Sequence, residues 1–262
     1  MDLGLKDKVA VITGASAGIG KATAKAFAKE GAEVAIVARD PKRLEATAYE
    51  ILTQSGKQPL TVSFDMAATE EIGRMMQHIV NKFGHIDILV NNAGASKFGD
   101  PLELSIDAFE DAIRVKYLGY VECSRAAAKH MIHQGSGRII NVIGSGGKQV
   151  NPAHLPGGAA NAALILFTKG LALRLAGHNV LVNAVSPGGV STERLRQLFR
   201  SFAHMNGISY SEAEKSFLKQ YPLGRPASPE EVADIILFIS SDRATYFVGS
   251  NIFMDGGTIK GI

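Results

Sequence analysis

The stretch Val9-Ala10-Val11-Ile12-Thr13-Gly14-Ala15-Ser16-Ala17-Gly18-Ile19-Gly20 decides how the rest of this chain is read. An apolar run leads straight into a glycine turn, and a helical pattern follows at once. Strand, turn and helix start in that order aim backbone N–H groups and the positive end of a helix dipole at one point, the setting a phosphate needs. Gly14 permits the tight turn, Gly18 lets backbone come close to a phosphate, and Gly20 lets the helix lie close on the strand. With Ser16 and Ile19 between them, these residues read as a dinucleotide-binding loop.

Working outward, short apolar runs alternate with amphipathic helical stretches to the end of the chain. Residues 9–13, 34–38, 60–65, 86–91, 138–143, 180–186 and 252–254 read as strands. Strands that are continuously apolar and separated by helices imply a parallel sheet covered on both faces. The expectation is one α/β domain over residues 1–262, a doubly wound parallel seven-stranded sheet. Two stretches break the rhythm. Residues 144–158 form a Gly-, Pro- and Asn-rich loop at the carboxyl end of the fifth strand, where open parallel sheets bind ligands. Residues 190–222 form a lid-like insertion ahead of a helix opened by Ser228-Pro229-Glu230-Glu231, with a serine cap, a proline at the first helical position and a glutamate three residues on. The helical run at 112–133 holds Cys123, and the helix at 159–176 is apolar nearly all round. Such a helix is expected to be buried on two sides, one against the sheet and one against another subunit, giving a homotetramer or homodimer.

Composition excludes several classes. The net charge of +3 is small and scattered, with no aromatic-basic stripe for nucleic acid. One cysteine rules out an internal disulfide, and no His or Cys cluster has metal-ligand spacing. The first residues lack a signal pattern and no apolar run is read as long enough to cross a bilayer, so a cytoplasmic protein is expected.

The end of the second strand chooses the cofactor. A carboxylate there would accept from an adenosine ribose, whereas a basic residue would pair with a 2′-phosphate. The chain reads Val37-Ala38-Arg39-Asp40. This favours NADP(H), with Arg39 as the phosphate partner and Ser16 as its helper. The competing reading gives Asp40 the ribose, but Asp40 is also placed to cap the helix beginning at Pro41.

With these residues in place, the chain resembles the short-chain dehydrogenase/reductase family over its whole length. The glycine turn matches, as do Asp65 after the third strand, where the family contacts adenine, and Asn91-Asn92-Ala93-Gly94 after the fourth. Asn183 and Ser186-Pro187-Gly188-Gly189-Val190-Ser191-Thr192 resemble the segment that touches the nicotinamide, with Thr192 near its carboxamide. Leu223-Gly224-Arg225-Pro226 and Met254-Asp255-Gly256-Gly257 match closing elements. The resemblance implies a Rossmann-type fold, usually tetrameric, moving hydride between a nicotinamide and a carbonyl or alcohol carbon of a small molecule.

The resemblance also implies a tyrosine acid, a lysine that lowers its pKa, a serine and an asparagine. Those positions fall on Gly157, Asn161, Gly144 (with Ser145 next to it) and Lys116. No tyrosine occurs between Tyr120 and Tyr210, so no shift of register supplies one. Lys116 and Asn161 read as an exchange of ammonium and amide, with Lys116 either a relocated acid or a snorkelling surface lysine. His154 is a second candidate proton carrier, because an unperturbed imidazole titrates near neutrality, and Ser145 a candidate for orienting a substrate oxygen. In the insertion, Arg194, Arg196 and Arg200 read as a solvated face. The preferred function is an NADP(H)-dependent oxidoreductase with a non-standard proton donor. The alternatives are a non-redox cyclase, isomerase or lyase, or a cofactor-binding pseudoenzyme on the same fold.

Overall fold

The structure, a computed structural model, describes residues 1–94 and 96–260. The strands are β1 (Val9–Thr13), β2 (Glu33–Ala38), β3 (Leu60–Ser63), β4 (Ile88–Asn91), β5 (Gly137–Val142), β6 (Val180–Pro187) and β7 (Asn251–Met254). The helices are α1 (Gly18–Lys29), α2 (Pro41–Ser55), α3 (Ile72–Phe83), α4 (Ile106–Ala112), α5 (Gly119–Gln134), α6 (Leu155–Leu175), α7 (Glu193–Asn206), α8 (Tyr210–Leu218) and α9 (Pro229–Ser240). All strands pair in parallel in the order β3-β2-β1-β4-β5-β6-β7, the Rossmann-type α/β fold.

The side-chain period of a strand explains why these runs are apolar throughout. Ala10, Ile12, Val34 and Ile36 face one side, where they meet Phe27 of α1, Leu44 and Ile51 of α2 and Ile236 of α9. Their neighbours Val11, Ala35 and Val37 face the other, against Ile72, Met76 and Ile79 of α3 and Cys123 and Met131 of α5. Both faces are dry, so truncating one fully buried residue such as Ile36 to alanine would cost about 2–5 kcal/mol.

Local chemistry fixes the helix starts. Asp40 caps α2 by accepting from the backbone N–H of Lys42 at 3.0 Å and of Arg43 at 3.2 Å. Ser228 accepts from Glu231 N–H at 3.1 Å while the Glu231 carboxylate accepts from Ser228 N–H at 2.7 Å, a reciprocal capping box at the start of α9.

Three expectations need correction. The loop after β5 ends at His154, because α6 begins at Leu155 and takes Gly157 and Gly158 into its first turns; Pro156 at the helix start is tolerated where no N–H is needed. The run at 112–133 starts earlier, at Ile106, and passes through one wide π-turn at Ile113–Leu118 that holds Lys116. Helix α6 packs on β6 as expected, and Leu166 and Leu173 on its outer face are 77% and 66% exposed in the single chain, the side expected to meet another subunit. The segment Pro152–His178 that contains it is long and apolar enough, by length and composition, to cross a membrane, which corrects the expectation that no apolar run has that length. Its inner face lies on the sheet, with Leu164, Thr168 and Ala172 buried.

Candidate active site

Every strand of a parallel sheet ends at the same edge, and the loops there enclose a cleft of about 650 Å³. Gly14, Gly18 and Ile19 line one end of it, Ala93 and Gly94 its centre, and Pro187, Gly188, Val190 and Thr192 the side formed after β6. Lys116, Ser145, His154 and Asn161 line it as well.

The glycine turn is built for close approach. A Cβ on Gly20 would lie 2.3 Å from the Gly14 carbonyl oxygen, and Gly18 has φ +53° with its Cβ position 3.2 Å from Thr192. Ala17, at the N-cap of α1, makes no side-chain cap, so the first N–H groups of the helix have no capping side chain. Asn92 braces the turn: its amide donates to the carbonyls of Thr13 at 3.0 Å and Gly14 at 3.2 Å, while Thr13 Oγ1 accepts from the N–H of Asn92 and Ala93.

The remaining cofactor candidates lie outside the cleft lining. Ser16, Arg39 and Asp65 sit at or just beyond the carboxyl ends of β1, β2 and β3, adjacent strands of the sheet. Arg39 is exposed, and among the described residues its guanidinium has no partner; Asp40 beside it is engaged in the cap of α2. Asn91 is turned away into the sheet, where its amide donates to Ser124 Oγ at 3.0 Å and Asn141 Oδ1 at 2.9 Å, so its side chain supports the strand ends rather than the cleft.

At the centre, Lys116 Nζ donates to the Ile143 carbonyl, and Tyr120, one helical turn on, donates to the adjacent Val142 carbonyl at 3.0 Å. Two side chains of one helix thus hold the end of β5. Tyr120 is fully buried and its phenol is pushed well above its usual pKa by desolvation, so it stays protonated. Burial, with the Arg194 charge second, lowers the Lys116 ammonium from 10.5 to about 7. Asn161 is buried with its Oδ1 unpartnered. Gly144 has φ +117°, and a Cβ there would lie 3.2 Å from Asn161 Nδ2; a side chain at 144 would be strained in this backbone.

His154 departs from its expectation. Its Nε2 lies 2.6 Å from Ser96 Oγ and 3.1 Å from Arg194 Nη2, and its ring packs on Phe98 at 4.6 Å between centroids. Nε2 therefore accepts, and the imidazole is neutral. Burial first, then Arg194 and Lys116, lower its pKa from 6.5 to about 3, so near neutrality the ring is uncharged and keeps its single proton on Nδ1. A Cβ on Gly157 would lie 2.1 Å from that Nε2 and 2.6 Å from Ser96 Oγ.

The sequence reading missed Ser96, Phe98 and the true place of Arg194. Arg196 and Arg200 pair with Glu193 at 3.0 and 2.7 Å on the outer face of α7, as a solvated face should. Arg194 instead lines the cleft while staying exposed to solvent, donating to Ser96 Oγ at 2.9 Å and lying over the Phe98 ring at 5.1 Å. The available signal was spacing: Glu193 has arginines at i+3 and i+7, one face of a helix, which leaves residue 194 on another. The insertion packs through Phe199, Phe202 and Phe217, the last two also lining the cleft.

Comparisons with known proteins agree with this architecture. A family model described as enoyl-(acyl carrier protein) reductase matches residues 14–258. The 3-oxoacyl-(acyl-carrier-protein) reductase of Aquifex aeolicus is 35% identical over 257 residues, covering 98% of this chain and 99% of that protein. The L-sorbose reductase of Gluconobacter frateurii, solved with NADPH and L-sorbose, superposes with a TM-score of 0.93 at 35% identity, with 100% of both chains covered. An NAD⁺-bound xylitol dehydrogenase superposes with a TM-score of 0.93 at 26% identity, covering 97% of this chain and 99% of its own. The chain belongs to the short-chain dehydrogenase/reductase family of oxidoreductases.

Proposed function

We propose that this protein is an NADP(H)-dependent reductase of a small carbonyl substrate in which Lys116, not a tyrosine, supplies the proton. The observation that carries this reading is a lysine facing the cleft with its pKa lowered to about 7, in a centre where Gly157 has no room for a larger side chain. Gly144, Gly157, Asn161 and Lys116 stand where the family's serine, tyrosine, lysine and asparagine are expected, so the usual acid is absent and another group must serve.

The residues present fit the cofactor. The uncapped start of α1 and the glycine turn that no Cβ could occupy suit a pyrophosphate. Arg39, whose guanidinium has no partner among the described residues, suits a 2′-phosphate, and the engagement of Asp40 in its cap weakens the ribose alternative. The NADPH complex of L-sorbose reductase supports this preference, while the NAD⁺-bound xylitol dehydrogenase marks the same fold as able to serve either. Ser16 and Asp65 complete the adenosine side, with Thr192 and the segment after β6 beside the nicotinamide. When bound, the reduced nicotinamide supplies hydride to the carbonyl carbon.

The chain's own part is positioning and proton supply. Lys116 Nζ, anchored to the Ile143 carbonyl by one of its three N–H groups, has two left to give. One proton passes to the carbonyl oxygen as that oxygen takes up the electron pair of the C=O bond, leaving a neutral amine that solvent reprotonates. Ser145 Oγ, free of side-chain partners among the described residues, holds the substrate oxygen, and Asn161 offers its amide beside it. His154, neutral and hydrogen-bonded, fills space rather than carrying the proton.

The exposed leucine stripe of α6 supports self-association as a homodimer or homotetramer, which light scattering of Leu166→Glu would test by dissociation. The catalytic reading is tested by a panel of ketoses, 3-oxoacyl thioesters and keto acids, following loss of NADPH absorbance. Once a substrate is found, Lys116→Met is expected to lower kcat by about 10²–10⁴-fold with NADPH affinity unchanged. Unchanged turnover in that variant would remove Lys116 from the role.

A further inference from the structure

The cleft is charged on one side of the ledger only. Lys116 and Arg194 both face it, and among the described lining residues the sole carboxylate is Glu193, whose two oxygens are taken by Arg196 and Arg200. Arg194 Nη2 is used on Ser96 and His154, but among the described residues its Nε and Nη1 have no acceptor and no acid pairs with it. Arg194 is exposed to solvent and Lys116 is half-buried, so the two cations give this side of the cleft a positive potential that its lining does not cancel and that favours an anion there. The arrangement around Arg194 is held: Phe98 stacks beneath the guanidinium and also on His154, and Ser96 bridges the two. With Nη2 engaged, Nε and Nη1 each still carry charged N–H groups that a carboxylate oxygen can accept. Next to it the lining turns apolar, through Leu198, Phe202 and Phe217 from the insertion.

We propose that Arg194, with Lys116 adding a second positive charge, forms a subsite for the carboxylate of a substrate whose body is apolar. The inference rests on the reductase reading for the word substrate, but the subsite itself is a property of the cleft. The pyrophosphate does not account for Arg194, because the glycine turn and the start of α1 hold that group, whereas the guanidinium is bound to Ser96, His154 and Phe98.

The test is calorimetric titration of the protein, apo and saturated with NADP⁺, with 4-phenylbutanoate, 4-phenylbutanamide and phenyl phosphate, none of which can be reduced as a ketone. The expected result is binding of the carboxylate at least about 10-fold tighter than its amide, a preference that Arg194→Gln abolishes and Arg194→Lys keeps in part, as the loss of a charge-assisted bond implies. Arg196→Gln, on the outer face of the same helix, should leave the preference intact, and the melting temperature of Arg194→Gln checks that it folds. A carboxylate that binds no better than the amide overturns the proposal, and so does tighter binding of the phosphate ester. Loss of NADP⁺ affinity in Arg194→Gln equal to the loss of carboxylate affinity would also overturn it, by making Arg194 a cofactor ligand. If the wild type binds no NADP⁺, the reductase reading falls while the apo titration still decides the subsite.

Discussion

A Cβ on Gly157 would lie 2.1 Å from Nε2 of His154. The imidazole therefore stands where any larger residue at 157 would place its first side-chain carbon, and the two positions are a matched pair: the histidine fits because the glycine is there. Gly157→Ala should destabilise the protein by about 1–3 kcal/mol through overpacking. In a His154→Ala background the same change should cost less than about 1 kcal/mol. Denaturant unfolding of both singles and the double closes the cycle, and additive effects would show that the two side chains do not compete for this space.

His154 makes stability depend on acid. Its folded pKa is lowered to about 3 from 6.5, so between those values the unfolded chain binds the extra proton. The stabilisation is complete above pH 6.5 and is lost as pH falls toward 3. His154→Gln should flatten the drop in melting temperature between pH 6.5 and pH 4, by about 2–4 °C for each kcal/mol of linkage removed. Parallel melting curves for the two proteins would contradict the assignment of a neutral imidazole.

Lys116 predicts a limb in the rate of carbonyl reduction. With its pKa lowered to about 7, the ammonium that donates is present below that pH and lost above it, so the rate should fall roughly tenfold per pH unit on the alkaline side. Lys116→Arg, charged at every accessible pH, should move that limb out of range. The linked stability runs the other way: the unfolded lysine binds the extra proton between about 7 and 10.5, so folding is favoured as pH rises through that window.

Arg39 is the cofactor-selecting residue in this account. Arg39→Ala should weaken NADPH by about 10–100-fold, the worth of a charge-assisted contact, and leave NADH within about twofold. Equal loss for both cofactors would point to the fold of the turn instead.

The architecture was legible because it rests on local patterns that tertiary structure does not overrule. The run 34–38 is short, rich in valine and isoleucine and followed by Arg39-Asp40-Pro41, which marks it as a buried strand, and Ser228-Pro229-Glu230-Glu231 specifies its own helix start. The site was legible in part. The glycine turn, Lys116 and Asn161 reach the cleft as their places in the chain imply, but the sequence could not say that His154 would be neutral, because that follows from Ser96 and Arg194, 58 and 40 residues away. Nor could it show Arg194 lining the cleft, since its neighbours Arg196 and Arg200 point out. The first turns of α6 were hidden for a different reason: Gly157 and Gly158 have poor helix propensity, and close packing against His154 and the Gly146 carbonyl outweighs it.

The most direct measurement is a titration of the purified protein with NADPH and, separately, NADH, following reduced-nicotinamide fluorescence. The account predicts saturable enhancement with NADPH binding at least about 10-fold tighter, the least that a 2′-phosphate paired with Arg39 should contribute. Absence of binding for both cofactors would contradict the reductase reading at its base.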